Sequence, residues 1–384
     1  YLDGYHRLRA AYGGGMIDAL RLRDKVSQNL PDVVLHPRHA ADVEAVLHYC
    51  CEQDIPLYVF GGRSSVTRGF EAVKGGVSLD LSVYMKRILA FNEIDQTITV
   101  EPGIFGPELE DALQNAPERF GASQRYTCGH FPQSFEYSSV GGWVVTRGAG
   151  QNSTGYGKIE DIVLAQEYLT PKGVLHTPAY PRSATGPDLN QVMMGSEGAF
   201  GILEKVTLKV FRSLPQNQRD FSYLFRSWGA ALGAVREVMQ YQTGYPSVFR
   251  LSDPEETDVA LKMYGIAGTP LDSGLEALGF KPMRRCLLLG TVEGERGFCR
   301  NLDRVIRRIC RRTGALELSL LEVTQRWEES RFRDPYLRDD LHDYDILIDT
   351  LECSVNWSQL ESVHSAVRQV IKHVPGRICM THLS

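Results

Sequence analysis

The sequence predicts an α+β protein of two domains, and three observations carry that prediction. The chain has 384 residues, 43% of them hydrophobic and 23% charged, which is enough for two sizeable cores. Up to residue 212, short alternating or apolar runs outnumber helical patterns. Beyond it, strand and helix patterns follow one another in an order that suggests an antiparallel sheet with helices on one face. The segment "SLPQNQRD" (213–220) reads as a linker, giving domains 1–213 and 214–384.

In order, residues 40–54 carry Val43, Val46, Leu47 and Cys50 at helical spacing, and "IPLYVF" follows as a short buried strand. "GVSLDL", "RILAFNE" and "TITVEPG" read as strands, 107–113 as a short helix, 161–177 as two strands around "PKG", and 200–212 as a further strand. The second domain reads as strand 221–225, helix 230–241, strand 247–251, strand 286–293, helix Arg296–Arg312, strand 345–353, helix 357–374 and strand 377–382.

Three glycine-rich stretches interrupt this pattern. "VFGGRSSVTRG" (59–69) can turn successive N–H groups inward, because glycine tolerates φ > 0 and close approach, and such a nest favours phosphate. A glycine-rich hairpin or surface turn is the alternative reading. The loop matches neither GxGxxG nor GxxxxGK[ST], so it is no standard Rossmann or Walker site. Residues 128–162 are crowded with Gly, Ser, Thr and Tyr, and a solvent loop of that length is unusual. They read as backbone wrapped around a large polar ligand, with Ser138, Ser139 and Thr146 as donors and Gly141 and Gly142 allowing close approach. "MGSEGAFGI" (194–202) is a third such turn before a strand.

The formal net charge of −5 supplies no general field for nucleic acid, and no apolar run approaches the roughly 20 residues of a membrane span, so a soluble protein without nucleic-acid partners is expected. Eight cysteines, two adjacent and none in a CxxC pair, resemble buried thiols more than a disulfide framework or zinc site, which favours a reducing compartment and no metal. The chain starts at Tyr1 and stops after the strand-like "RICMTHLS", so both ends are expected to be cut.

Five segments in order, "FGGRSSV", "GHFPQSFEYSSVGGWVVTRGAG", "YGKIEDIV", "TGPDLNQVMMGSEGAFGI" and "FRLSD", resemble the vanillyl-alcohol oxidase and p-cresol methylhydroxylase superfamily of FAD-binding proteins, and within it the alkyldihydroxyacetonephosphate synthases. The resemblance implies a two-subdomain FAD-binding domain of the p-cresol methylhydroxylase type, then an α+β cap domain with an antiparallel sheet. It implies that Phe60, Gly61, Gly62, Arg63, Ser64, Ser65 and Val66 cradle the FAD pyrophosphate. Gln133, Ser134, Phe135, Glu136, Tyr137, Ser138 and Ser139 would line the flavin, with Thr146, Arg147, Gly148 and Ala149. Glu197, Gly198, Ala199, Phe200, Gly201 and Ile202 would complete the lining. Members that tether FAD covalently often use a histidine in or near the first loop. This loop has Arg63 and no histidine, so non-covalent FAD is expected.

The same resemblance implies exchange of the acyl group of acyl-dihydroxyacetone phosphate for a fatty alcohol, without net redox, on small lipid substrates. An FAD-linked oxidase or dehydrogenase of a hydroxy acid or alcohol is the alternative, and a non-catalytic flavin-binding subunit a second. A homodimer with peripheral membrane contact is expected, cytoplasmic or, in a eukaryote, peroxisomal.

His130, in "GHFPQSFEYSS", is a candidate to relay a proton or hold a substrate phosphate; the alternative is a hydrogen-bonded structural histidine. Arg250 stands where the family's cap carries an arginine that supports substrate phosphate or flavin, against a salt bridge to Asp253. The seven arginines of Arg296–Arg312 read as a solvated basic face or as a contact for anionic lipid. Two departures stand out: the family's run of three histidines with an active-site tyrosine is absent before Ser384, and its phosphate-binding arginine in the last cap strand aligns with Cys379.

Overall fold

The computed structural model describes residues 1–181 and 183–384, the side chain of Asp334 apart. The chain divides into two compact units: Tyr1–Gln151, Tyr156–Ser213 and Phe332–Asp349 form one, Asn152–Gly155, Leu214–Arg331 and Thr350–Ser384 the other. Residues 332–349 thus belong with the first unit, although the sequence reading assigned everything after 214 to the second domain.

Among the described residues the first unit holds two larger sheets, besides a two-stranded pairing of Tyr126–Thr127 with Phe211–Arg212. Strand Val33–Leu35 leads through helix Ala40–Glu52 to strand Leu57–Phe60, and both pair in parallel with Val77–Asp80. Val43 and Leu47, four residues apart on the helix, meet Leu79 and Leu81 in one core. The strand therefore stops at Phe60 with its C-terminal end free for the first glycine-rich loop. The second sheet is antiparallel and five-stranded, in the order Ile88–Asn92, Thr97–Val100, Ile202–Lys209, Val163–Thr170, Gly173–His176. Helices Gly106–Gln114 and Val140–Val145 pack Leu109, Leu113, Val140 and Val144 onto Ile98, Val100, Val206 and Leu208 of this sheet.

The second unit is an antiparallel sheet ordered Leu316–Glu317, Arg219–Phe225, Cys286–Val292, Val248–Ser252, His382–Leu383. Its helices cover both faces, which corrects the one-face expectation. Phe221, Tyr223 and Phe225 meet helices Trp228–Gln240 and Arg296–Arg312 on one side. Leu224, Leu287 and Leu289 meet Leu275, Phe280, Val323 and Trp327 on the other. The physical reason was visible in "CLLLGTV": every residue of Cys286–Val292 is buried, as a strand covered on both faces requires. Among the described residues no strand forms at 345–353, where one was expected, and the last strand is a short one at His382–Leu383. All eight cysteines are free thiols.

Candidate functional site

The three glycine-rich stretches converge in the first unit. A Cβ on Gly61 would lie 2.1 Å from Ser139 Oγ, one on Gly62 2.1 Å from the Tyr137 carbonyl oxygen, and one on Gly69 2.7 Å from Glu197 Oε2. The N–H groups of Gly195 and Glu197 donate to the carbonyls of Val144 and Val145 at 3.3 and 3.1 Å. The first loop thus touches the second and third segments, and these are tied to each other. Gly62 itself has no positive φ; glycine is required there by close approach. The left-handed turn of the loop falls on Arg63, at φ 58°, and left-handed Arg68, Arg147 and Glu197 join it. Such conformations cost about 1–3 kcal/mol each and persist where the surroundings impose them.

The orientation of the loop has a second cause that the sequence reading missed. Gly13, Gly14 and Gly15 lie behind it: Cβ atoms there would meet the carbonyl oxygens of Ser65, Ser64 and Val66 at 2.3, 3.3 and 3.1 Å, and Gly14 donates its N–H to Ser65 O at 2.9 Å. In a trans peptide the N–H points opposite to the carbonyl, so the N–H groups of Ser65 and Val66 face away from these glycines. Among the described residues, none accepts a hydrogen bond from the backbone N–H of Gly61, Gly62, Arg63, Ser64, Ser65 or Val66. Buried or half-buried donors are normally paired, and a row of them at an αL turn makes an anion-binding concavity. The signal that could have located the backing element was the triple glycine itself.

The hydroxyls expected to reach the flavin are partly occupied. Ser138 Oγ accepts from the Trp143 indole at 2.7 Å, Ser139 Oγ caps its helix by accepting from Gly142 N at 3.3 Å, and exposed Thr146 donates to Gly142 O at 2.7 Å. Arg147 pairs with Glu160 at 3.0 Å and hydrogen-bonds Gln191. Gln133, Glu136, Ala149, Glu197, Gly198, Ala199 and Phe200 are exposed, Ser134 and Gly148 half-buried, and Phe135, Gly201 and Ile202 buried. Residues 332–336 lie over the second segment: Phe332 stacks on Phe135 with centroids 5.2 Å apart, and the Tyr336 hydroxyl donates to Glu136 at 3.0 Å.

His130 is 1% exposed, with its ring 4.9 Å from Trp143, and neither ring nitrogen has a partner among the described residues. Burial lowers its pKa to about 3, so the ring is neutral at physiological pH. In the second unit, Arg250 Nη2 donates to Glu256 at 2.6 Å and contacts His382 Nδ1 at 3.0 Å. The carboxylate expected to pair with it, Asp253, instead caps helix Pro254–Met263 and pairs with Arg368 at 2.6 Å and His364 at 3.1 Å. Arg368 also reaches the Cys379 carbonyl, so an arginine does stand at the end of the chain, though it comes from helix Leu360–Lys372. On Arg296–Arg312 the basic face is partly neutralised: Arg307 and Arg311 pair with Glu317, and Arg312 with Glu237. Among the described residues, no cluster of His, Cys, Asp or Glu is placed to hold a metal, and no helix is long and apolar enough to cross a membrane.

Comparison with known proteins agrees with this geometry. Residues 31–178 match the FAD binding domain family and residues 214–382 the C-terminal domain of FAD linked oxidases. Over 401 residues the chain is 27% identical to the alkyldihydroxyacetonephosphate synthase of Dictyostelium discoideum, covering 100% of this chain and 63% of the relative. A solved alkyldihydroxyacetonephosphate synthase superposes with a TM-score of 0.83 at 26% identity, covering 97% of this chain and 67% of that one. The chain is also 35% identical over 192 residues to the mitochondrial D-lactate dehydrogenase [cytochrome] of Arabidopsis thaliana, which covers 49% of this chain and 32% of that protein. It therefore spans just under two thirds of the length of the synthases that it matches end to end.

Proposed function

We propose, from its likeness to the alkyldihydroxyacetonephosphate synthases and its match to the FAD binding domain and the C-terminal domain of FAD linked oxidases, that this chain acts in ether lipid synthesis, exchanging the acyl group of acyl-dihydroxyacetone phosphate for a fatty alcohol. The observation that carries the cofactor half of this reading is the row of unpartnered N–H groups from Gly61 to Val66, which fits the diphosphate of FAD. Bound there, FAD would supply an electrophilic ring system for the exchange. The substrate half is supported by the relatives, whose likeness extends through the second unit as well as the first.

Each proposed side chain has a task consistent with its surroundings. Arg250 is held by Glu256 and His382 through one nitrogen, which fixes its charge in place to clamp a substrate phosphate with the others. His130, neutral and desolvated, carries one ring N–H and one acceptor nitrogen, so it can position or pass on the proton that the alcohol loses. Since an ester becomes an ether and a carboxylic acid, no electrons are gained or lost overall.

A second reading is kept by one observation: the greater identity to a D-lactate dehydrogenase over about half of the chain. The test is to mix the FAD-loaded protein anaerobically with acyl-dihydroxyacetone phosphate and a long-chain alcohol. Ether product and free fatty acid without an electron acceptor support the exchange. Absence of ether product together with dye reduction by a 2-hydroxy acid replaces it with the dehydrogenase.

A further inference from the structure

Residues 332–349 carry an arginine that no sequence motif singled out. Arg338 is half-buried, and its Nη1 donates to the Gly14 carbonyl at 2.5 Å. Gly14 is the residue whose own N–H holds the Ser65 carbonyl, so a single residue separates this guanidinium from the first loop. Arg338 also neighbours Tyr137: burial pushes that phenol's pKa up, and the charge of Arg338 opposes the rise. The carbonyl of the same Tyr137 is the group packed against Gly62. Arg338 is therefore placed by two residues that each touch the loop.

Among the described residues, Arg338 makes no ion pair, and neither does Arg63, whose guanidinium donates to the Arg9 carbonyl at 2.8 Å. Burial, with Arg9 nearby, pulls the pKa of Arg63 below the ordinary arginine value against the opposing charge of Asp80, which does not pair with it directly, yet an arginine keeps its charge at any ordinary pH. Half-buried charges without a counter-charge are costly, and buried charges are normally paired. Here Arg63 belongs to, and Arg338 stands one residue from, a loop whose six backbone donors also lack acceptors. Donors and cations assembled at one turn describe a site for a dianion presented as adjacent oxyanions.

We propose that Arg338, with Arg63, supplies the counter-charge for the FAD diphosphate. This makes cofactor binding and the ordering of residues 332–349 a single linked equilibrium. The proposal rests on the FAD reading above and adds a residue that the first-loop motif does not contain. Any ligand that binds one conformation of a segment preferentially must stabilise it.

The test uses the full chain, freed of flavin and titrated with FAD by fluorescence, beside riboflavin, which has no phosphate. Arg338→Ala is expected to weaken FAD binding by about 10- to 100-fold, the range for losing a charged hydrogen bond, while Arg338→Lys stays within about fivefold of wild type. Riboflavin affinity is expected to be the same in all three. FAD should also slow proteolysis within 332–349 in the wild type and fail to do so in Arg338→Ala. The proposal is overturned if Arg338→Ala binds FAD like wild type, or if FAD and riboflavin weaken together, the mark of a merely structural role. A wild-type chain that takes up no FAD refutes the cofactor reading, and this proposal with it.

Discussion

The carbonyl oxygen of Tyr137 stands 2.1 Å from where a Cβ on Gly62 would be, so the first loop and the second glycine-rich segment share one van der Waals gap. A backbone atom cannot swing aside as a flexible side chain can. Gly62→Ala is expected to lower the flavin content of the purified protein and Gly62→Val to abolish it, because the loop must move off its neighbour and lose its alignment. The check is the flavin-to-protein ratio of soluble variants. A Gly62→Val protein with full flavin would show that the loop's position is not needed.

Release of the cofactor tests a second feature of the same loop. Between Gly61 and Gly69 there is no histidine, and Arg63 occupies the turn. Acid or heat denaturation of the yellow holoprotein is therefore expected to leave a colourless pellet and free FAD in the supernatant. Flavin fluorescence that stays with the precipitated chain would mean a tether elsewhere.

What could be read from the sequence follows how local each determinant is. Helix Arg296–Arg312 was legible to the residue, because its apolar face repeats at helical spacing within one element. The convergence of the three glycine-rich stretches was legible as chemistry, since close approach demands glycine whatever the partner. The identity of each partner was not legible: Gly62 is set by Tyr137, and the orientation of the loop by Gly13, Gly14 and Gly15, about 50 residues earlier in the chain. Arg250 illustrates the same limit. Asp253, three residues on, was the obvious local partner, but it caps a helix, and Glu256 in the first turn of that helix takes its place. Residues 332–349 give no periodic signal that assigns them to the first unit, and only tertiary contacts place them there.

His130 offers a pH test. With its pKa lowered to about 3 by burial, the folded protein binds this proton less readily than the unfolded chain does between about pH 3 and 6.5. Its contribution to stability is therefore fully present above pH 6.5 and declines as the pH falls through that window, by up to about 1.4 kcal/mol per pH unit. His130→Gln is expected to flatten the acid limb of the stability profile measured by urea unfolding and, under the proposed reaction, to slow turnover with FAD retained. A wild-type rate profile with an inflection near pH 6.5 that vanishes in His130→Gln would show a ring that charges at neutral pH, against this account.

Glu256 carries the same sign in the second unit, over a more acidic window. Burial raises its pKa, but the hydrogen bond with His382 and the charge of Arg250 outweigh burial and hold it at about 2. A carboxylate depressed from its ordinary value contributes stability that is fully present above about pH 4.5 and is lost as the pH falls through about 2, on the order of 3 kcal/mol in all. Glu256→Gln should therefore destabilise the protein at pH 7 by about that amount, with the gap to wild type closing between pH 4.5 and 2. The same change frees Arg250 from its anchor while leaving its charge. Weaker capture of a phosphorylated substrate, with FAD affinity unchanged, is the expected kinetic consequence. If stability at pH 7 is unaltered, the pair does not hold Arg250, and the clamp assigned to it loses its support.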